Sequence, residues 1–268
     1  PGMGASFGNA GLLAQWAVTP VTTPDLWQAL LKYALNPASP LFIKWQYLPK
    51  LAPWLWKFLQ QANDTSAKAA SAALGPILLD AVDQHKALSR GSSAESWIAD
   101  SQFSYAYRDH KAFQEDRYAW DLKQAAGLVP DVLSGPAVQD AEPALGPAIQ
   151  CLAILKGQGH ILNPLGYITA LAKVFEAQGG VFRQTSVTGF EKHNGRIRSV
   201  LTEGGPIDCY KAVITAGIWS KNLMVKLGLN IPLETERGYH VMFKNPSQMP
   251  RNPMMITTGK FAVTPMQD

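Results

Sequence analysis

The residues of this 268-residue chain whose types could do chemistry are five histidines, two cysteines and a glycine-rich opening. No two histidines have the HxH or HxxxH spacing that puts ligands on one face of a strand or helix, so no metal is expected. His85, His110 and His193 fall on expected helix or hairpin surfaces, in reach of water. His160, in Gly159-His160-Ile161-Leu162-Asn163-Pro164, reads more simply as structural than as a residue facing a substrate cavity. Cys151 and Cys209 lie far apart with no CxxC pair, a pattern of free, buried thiols in a reducing compartment. Ser92-Ser93 and the other serines lack the GxSxG elbow of a hydrolase nucleophile, and no triad can be traced. Gly2, Gly4 and Gly8 have neither GxGxxG spacing nor a strand before them, so they do not read as a phosphate loop.

The elements that must position these residues follow from periodicity and punctuation. Thr23 is a plausible N-cap with Pro24 and Asp25 behind it, and Leu26, Trp27, Leu30, Leu31 and Ala34 make one apolar face that Asn36-Pro37 stops. After Asn63-Asp64 comes a long helical pattern, kinked at Gly75-Pro76 and ended by Gly91. Phe103, Tyr105 and Tyr107 alternate with Ser104 and Ala106, which predicts a strand. Asp109 caps a helix over residues 110–126, closed by Gly127. A short strand follows over 128–133, and a single helical turn over 136–140.

The pattern of the second half is clearer. Residues 167–178 form an amphipathic helix with Ile168, Leu171, Val174 and Phe175 on one face. A strand is expected over 181–185. Asn194-Gly195 then joins two strands, 187–193 and 196–202, as a hairpin. Gly204-Gly205 turns into 207–209, and residues 212–215 form a short buried strand ending at Ala216-Gly217. A β-rich region spans 236–265.

Hydrophobic residues make up 47% of the chain and charged residues 16%, enough to build a sizeable core. The excess of 24 Lys+Arg over 20 Asp+Glu is mild and scattered, so nucleic-acid binding is not expected. The most apolar stretch, residues 41–59, is interrupted by Lys44, Lys50, Lys57, Pro49 and Pro53 and cannot span a bilayer as one helix. Its Trp45, Trp54 and Trp56 read most simply as a packed hydrophobic helix pair; mixed with lysines, they also suit a membrane interface.

Helix, strand, β-meander and a short apolar strand ending in Ala-Gly resemble the second half of the FAD-binding domain in the glycine/D-amino-acid oxidase superfamily, nearest to D-amino-acid dehydrogenases. Three further segments carry the resemblance: Ala5-Ser6-Phe7-Gly8-Asn9-Ala10-Gly11, like the loop that passes by the flavin; Asp140-Ala141-Glu142-Pro143-Ala144-Leu145, like the bend before the second FAD segment; and Glu236-Arg237-Gly238-Tyr239-His240, like the strand over the flavin. The resemblance implies an α/β (α+β) fold in which a Rossmann-like FAD-binding domain is interleaved with an antiparallel-sheet substrate domain. Residues 1–100 would supply the FAD-domain loop and helices, 101–140 part of the substrate domain, 141–228 the FAD-binding part with its meander, and 229–268 substrate-domain strands. The chain is expected to be a fragment of a bacterial flavoprotein, without the GxGxxG segment and the C-terminal segment, and so to hold FAD weakly or not at all by itself.

By the same resemblance, Ser6, Asn9, Ala10, Gly11, Val187, Thr215, Ala216, Gly217 and Trp219 would face the cofactor FAD, and Tyr239 and His240 the substrate. His240 stands where many such dehydrogenases carry a small hydroxyl residue. Arg237 is in the right region to hold a substrate carboxylate. No catalytic acid or base is assigned. The implied reaction is hydride transfer from a D-amino acid to flavin, giving a 2-oxo acid and ammonia. Oxidation of another amine (sarcosine, glycine or hydroxyproline) and a non-catalytic scaffold that holds no FAD are the alternatives. The expected location is cytoplasmic, or peripheral at the inner membrane with electrons passing to a membrane quinone.

Overall fold

The computed structural model of the chain describes residues 3–27, 45–235 and 238–267. Most of the helix expected from Thr23 to Asn36 therefore lies outside the described residues, as does Arg237. The chain divides into two compact units, one of Pro1–Ala177 with His240–Asp268 and one of Gln178–Tyr239.

The first unit is built on a six-stranded sheet. Its strands are β1 (Leu12–Leu13), β2 (Ile98–Tyr107), β3 (Asp131–Ser134) and β4 (Cys151–Ile161), with β8 (Met254–Ile256) and β9 (Phe261–Val263) added from the end of the chain. β4 is the longest strand, and the sequence pattern does not announce it. Cys151-Leu152-Ala153-Ile154-Leu155 is a continuous apolar run without alternation, because both faces of the strand are covered. β2 pairs antiparallel along one edge of β4, from Ile98↔Ile161 to Tyr107↔Cys151. On the other edge, β1 pairs with its last residues and β3 with its first. Between Ser101↔Gln158 and Phe103↔Leu155 the register shifts, two residues of β4 facing one of β2, and Gly157 takes φ +68° at that bulge.

Period two sorts the side chains of β2 and β4 into two packed faces. On one face, Phe103, Tyr105, Tyr107, Cys151, Ala153 and Leu155 meet Trp120, with Trp16 stacked on Phe103 at 4.1 Å. On the other, Ala106, Leu152 and Ile154 pack with Val138 and Ile149. Burying each large side chain stabilises the sheet by roughly 1.5–3 kcal/mol. A third cluster, of Leu13, Val82, Ala94, Ile161, Tyr167 and Ala170, fixes helices Ala81–Ser89 and Pro164–Ala177 near the end of β4.

Local signals set the helix boundaries. Asn63 caps Asp64–Leu78 by accepting from the Ser66 N–H at 2.9 Å, and Asp109 caps His110–Glu115 by accepting from Ala112 N–H at 2.8 Å. The expected long helix is interrupted at residues 79–80: Gly75-Pro76, where a kink was expected, lies inside Asp64–Leu78, and Ala81–Ser89 follows. The segment after Asp109 also splits, into His110–Glu115 and Arg117–Ala125. In Pro164–Ala177 the buried residues are Tyr167, Ala170 and Ala172, so the inward face is displaced from the expected one and Phe175 is exposed.

The second unit is a three-stranded antiparallel sheet of β5 (Val187–His193), β6 (Arg196–Thr202) and β7 (Gly205–Asp208). The hairpin turn is Asn194-Gly195, with φ +50° and +76°, the conformation a tight two-residue connection needs. Two expected strands are absent: residues 181–185 and 212–215 form no regular secondary structure. No strand among the described residues pairs with either, and a strand without a ladder leaves its backbone groups to water. Val213 is 85% exposed, against the expectation of a buried strand. Residues 238–253 likewise form no strand, and the expected β-rich region reduces to β8 and β9. The mixed α/β class read from the sequence holds.

Candidate functional site

Four stretches of the first unit meet around the loop of residues 4–11. The Phe7 N–H donates to the Gly4 carbonyl at 3.0 Å, closing a turn. Asn9 then folds its side chain back, and its Oδ1 accepts from the Gly11 N–H at 2.6 Å. Gly11 takes φ +65°, and a Cβ there would run into the Ile161 carbonyl oxygen. That close approach lets the Gly11 carbonyl accept from the Ile161 N–H at 2.6 Å and starts β1 against β4. The last described residues join from another side: Gln267 N–H donates to the Leu162 carbonyl at 2.9 Å, and the Met266 methyl would lie 3.3 Å from a Gly11 Cβ.

The His240 imidazole occupies the space that a side chain at Gly8 would fill. The structure thus brings His240 to the loop that holds Ser6, Asn9, Ala10 and Gly11. Asn9 and Ala10 are exposed, Ser6 is half-buried and Gly11 buried. A loop with an exposed backbone, a small residue and a hydroxyl can take the polar edge of a planar ring system, so these residues fit a flavin. The other candidates belong to the second unit. Val187 opens β5 opposite Thr202. Thr215, Ala216 and Gly217 precede helix Ser220–Lys226, whose first residue accepts from the Ala216 N–H at 3.1 Å through its hydroxyl. Nothing stands within 4 Å of a Cβ built on Gly217. Trp219 and Tyr239 are exposed.

Beneath the loop, His160 is only 4% exposed, opposite Leu12 on one side and Ala99 on the other. Neither of its ring nitrogens makes a well-formed hydrogen bond. Burial pushes its pKa down, against a smaller upward pull from the Pro265 carbonyl, so the ring is held neutral. Ser101 Oγ and Gln158 Oε1, on paired residues one step along the strands, are also buried without a partner. This polar strip on an apolar sheet escaped the sequence reading of Gln158 and Ser101; the alternation of Gln158 with His160 past the bulge was its only signal. A depression of about 560 Å³ takes in Ser101 and Gln158, and another of about 550 Å³ is lined by Ser93, Ser96, Trp97, Thr169 and Lys173. Neither includes the loop residues.

Two expectations about titratable residues need correction. His85 is half-buried rather than solvated: its Nδ1 lies 2.8 Å from the Tyr167 hydroxyl, and burial lowers its pKa. Cys209 is half-buried, whereas Cys151 is fully buried with its thiol pKa pushed up by desolvation; both are free. His110 and His193 are exposed as expected. Among the described residues no cluster could hold a metal ion. In the bend at residues 140–145, Glu142 is buried and both its carboxylate oxygens accept from the Arg251 N–H, while the Arg251 guanidinium donates to the carbonyls of Asp140 and Ala141 at 3.2 Å.

Comparison with known proteins places this geometry in context. A family model described as DAO: FAD dependent oxidoreductase matches residues 1–268. A protein named D-amino-acid oxidase from Bradyrhizobium diazoefficiens is 34% identical over 260 residues, which is 97% of this chain and 62% of that protein. A D-amino acid dehydrogenase from Xanthobacter autotrophicus is 27% identical over 280 residues, 98% of this chain and 64% of its own length. The chain therefore spans less than two thirds of the curated relatives it matches. The crystal structure of glycine oxidase from Bacillus cereus shares the fold, with a TM-score of 0.55 and 18% identity over 75% of this chain and 53% of that one.

Proposed function

This chain belongs to the DAO family of FAD dependent oxidoreductases, and from that premise we propose that its protein oxidises the amine of a D-amino acid. The observation that carries this reading is the 34% identity, along 97% of the chain, to a protein named D-amino-acid oxidase. When bound, FAD supplies the two-electron acceptor to which the substrate α-carbon gives a hydride, and water then converts the imine to a 2-oxo acid and ammonia.

The tasks left to the chain are to bind, orient and exclude water. Ser6 and the backbone at Ala10 and Gly11 would line the flavin, and Asn9 keeps the loop's shape through its bond to Gly11 N–H. Val187, Thr215, Ala216, Gly217 and Trp219 belong to the cofactor side, and Tyr239 and His240 to the substrate side. Arg237 is the candidate cation for the substrate carboxylate. The electrons pass to an acceptor outside the chain, and the protein works in the cytoplasm or at the inner face of the inner membrane, where that acceptor would be a membrane quinone.

The test is anaerobic bleaching of protein-bound flavin by D-amino acids, with their L enantiomers, glycine and sarcosine alongside. Bleaching by the D enantiomers is expected. Bleaching by glycine or sarcosine alone would assign a related amine as substrate. Flavin that stays oxidised with every amine, or a version extended at both ends that retains no flavin, would overturn the reading.

A further inference from the structure

We propose that helix Leu48–Gln60 seats the protein on an anionic lipid surface, with Trp56 at the level of the headgroups and Lys50 and Lys57 against lipid phosphates. The inference gives a surface to the inner-membrane location proposed above, and its test reads lipid binding with no flavin chemistry.

The charge pattern is the first observation. From residue 26 to residue 63 the sequence has no Asp or Glu, yet it holds Lys32, Lys44, Lys50 and Lys57 and four of the eight tryptophans. In a chain whose acidic and basic residues are otherwise mixed, that stretch is one-sign cationic and aromatic in sequence, and Lys50, Trp54, Trp56 and Lys57 of it fall on helix Leu48–Gln60. The second observation is burial. No residue of helix Leu48–Gln60 is fully buried. Leu48, Leu51, Leu55, Phe58 and Leu59 are half-buried, while Pro49, Lys50, Pro53, Trp56 and Lys57 are exposed on the opposite face.

Trp56 is 61% exposed, a large indole in water beside the line of Lys50 and Lys57. Trp27 is 47% exposed and is fixed beside the same helix end, its Nε1–H donating to the Ala62 carbonyl at 3.2 Å. Indole rings with an apolar body and a polar N–H prefer the headgroup region, and lysines on the same face reach the phosphates from long apolar stems. Helix Leu48–Gln60 has 13 residues, too few to cross a bilayer, and among the described residues no helix is long and apolar enough to do so. The helix therefore lies in the plane of the interface. An anionic membrane is favoured over a neutral one because each lysine near such a surface strengthens binding about fivefold.

Flotation of the purified chain with lipid vesicles tests this, since floating material excludes aggregates. The chain should rise with vesicles containing phosphatidylglycerol and remain below with phosphatidylcholine alone, and added salt should release it. Lys50→Gln with Lys57→Gln should weaken partition roughly 25-fold, and Trp56→Ala should weaken it on the same vesicles. All three positions are exposed, and unchanged circular dichroism would show that the variants fold. A chain that does not float with anionic vesicles, floats equally with neutral ones, or floats undiminished after these substitutions overturns the proposal.

Discussion

In the unit of Pro1–Ala177 and His240–Asp268, the aromatic rings of β2 are shut from solvent between Trp16 and Trp120; in the unit of Gln178–Tyr239, Gly189 and Ser199 are the only buried residues among those described. The first is held by contacts between residues far apart in sequence. The second is held by a hairpin whose turn and ladder lie within a few residues of each other. The difference teaches how much of each unit depends on a shared core. A cavity in the first should spread through the sheet, whereas exposed apolar residues in the second, such as Val213, have little packing to lose.

The sharpest way to break that comparison is Phe103→Ala. Phe103 is buried and stacked on Trp16, so its truncation should cost about 3–5 kcal/mol in denaturant unfolding, while Val213→Ala should change stability by less than about 0.5 kcal/mol. Equal effects would show that the two units are not differently built.

Lys123 refines the picture of the core. It is 2% exposed, its Nζ 3.2 Å from Thr19 Oγ1 and 4.9 and 5.0 Å from the ring centroids of Tyr105 and Trp120. Burial pushes its pKa down to about 8 from 10.5, with Asp116 opposing. The unfolded chain thus binds the proton more tightly than the folded one. The penalty is fully present below about pH 8, fades as pH rises toward 10.5 and is absent above it. Lys123→Met should stabilise the protein by about 1–3 kcal/mol at pH 7 and lose that advantage across this window. An advantage independent of pH would mean that the ammonium is well compensated where it sits. Asp116 accepts from the Tyr107 hydroxyl at 2.7 Å, and that hydroxyl accepts from Trp120 Nε1–H at 2.8 Å; burial raises the Tyr107 pKa, so the phenol stays a donor throughout.

A smaller effect than those of the core is expected at the turn of the second unit. Gly195→Ala places a side chain at φ +76° and should cost roughly 1–2 kcal/mol. Hydrogen exchange should speed up in β5 and β6 and stay unchanged in β2 and β4. Faster exchange in β4 would couple the hairpin to the sheet of the first unit.

How much of this was legible in advance divides along the same line. Asn194-Gly195 determined the hairpin, Asn63 and Asp109 determined helix starts, and the alternation of Phe103, Tyr105 and Tyr107 determined part of β2, because each rests on a turn, a cap or a period confined to a few residues. The family, too, could be named from short segments in order. Only the tertiary structure decided that Cys151–Ile161 is the central strand, since an apolar run covered on both faces carries no period. It also decided that 181–185 and 212–215 are not strands, because a ladder needs a partner that no local pattern supplies. At the candidate site, the sequence marked the loop residues and His240 separately. Their meeting, and the isolation of His160 among unpartnered polar atoms, came from a glycine at position 8 that admits an imidazole and from strand register. Those are distances across the fold, and no spacing along the chain encodes them.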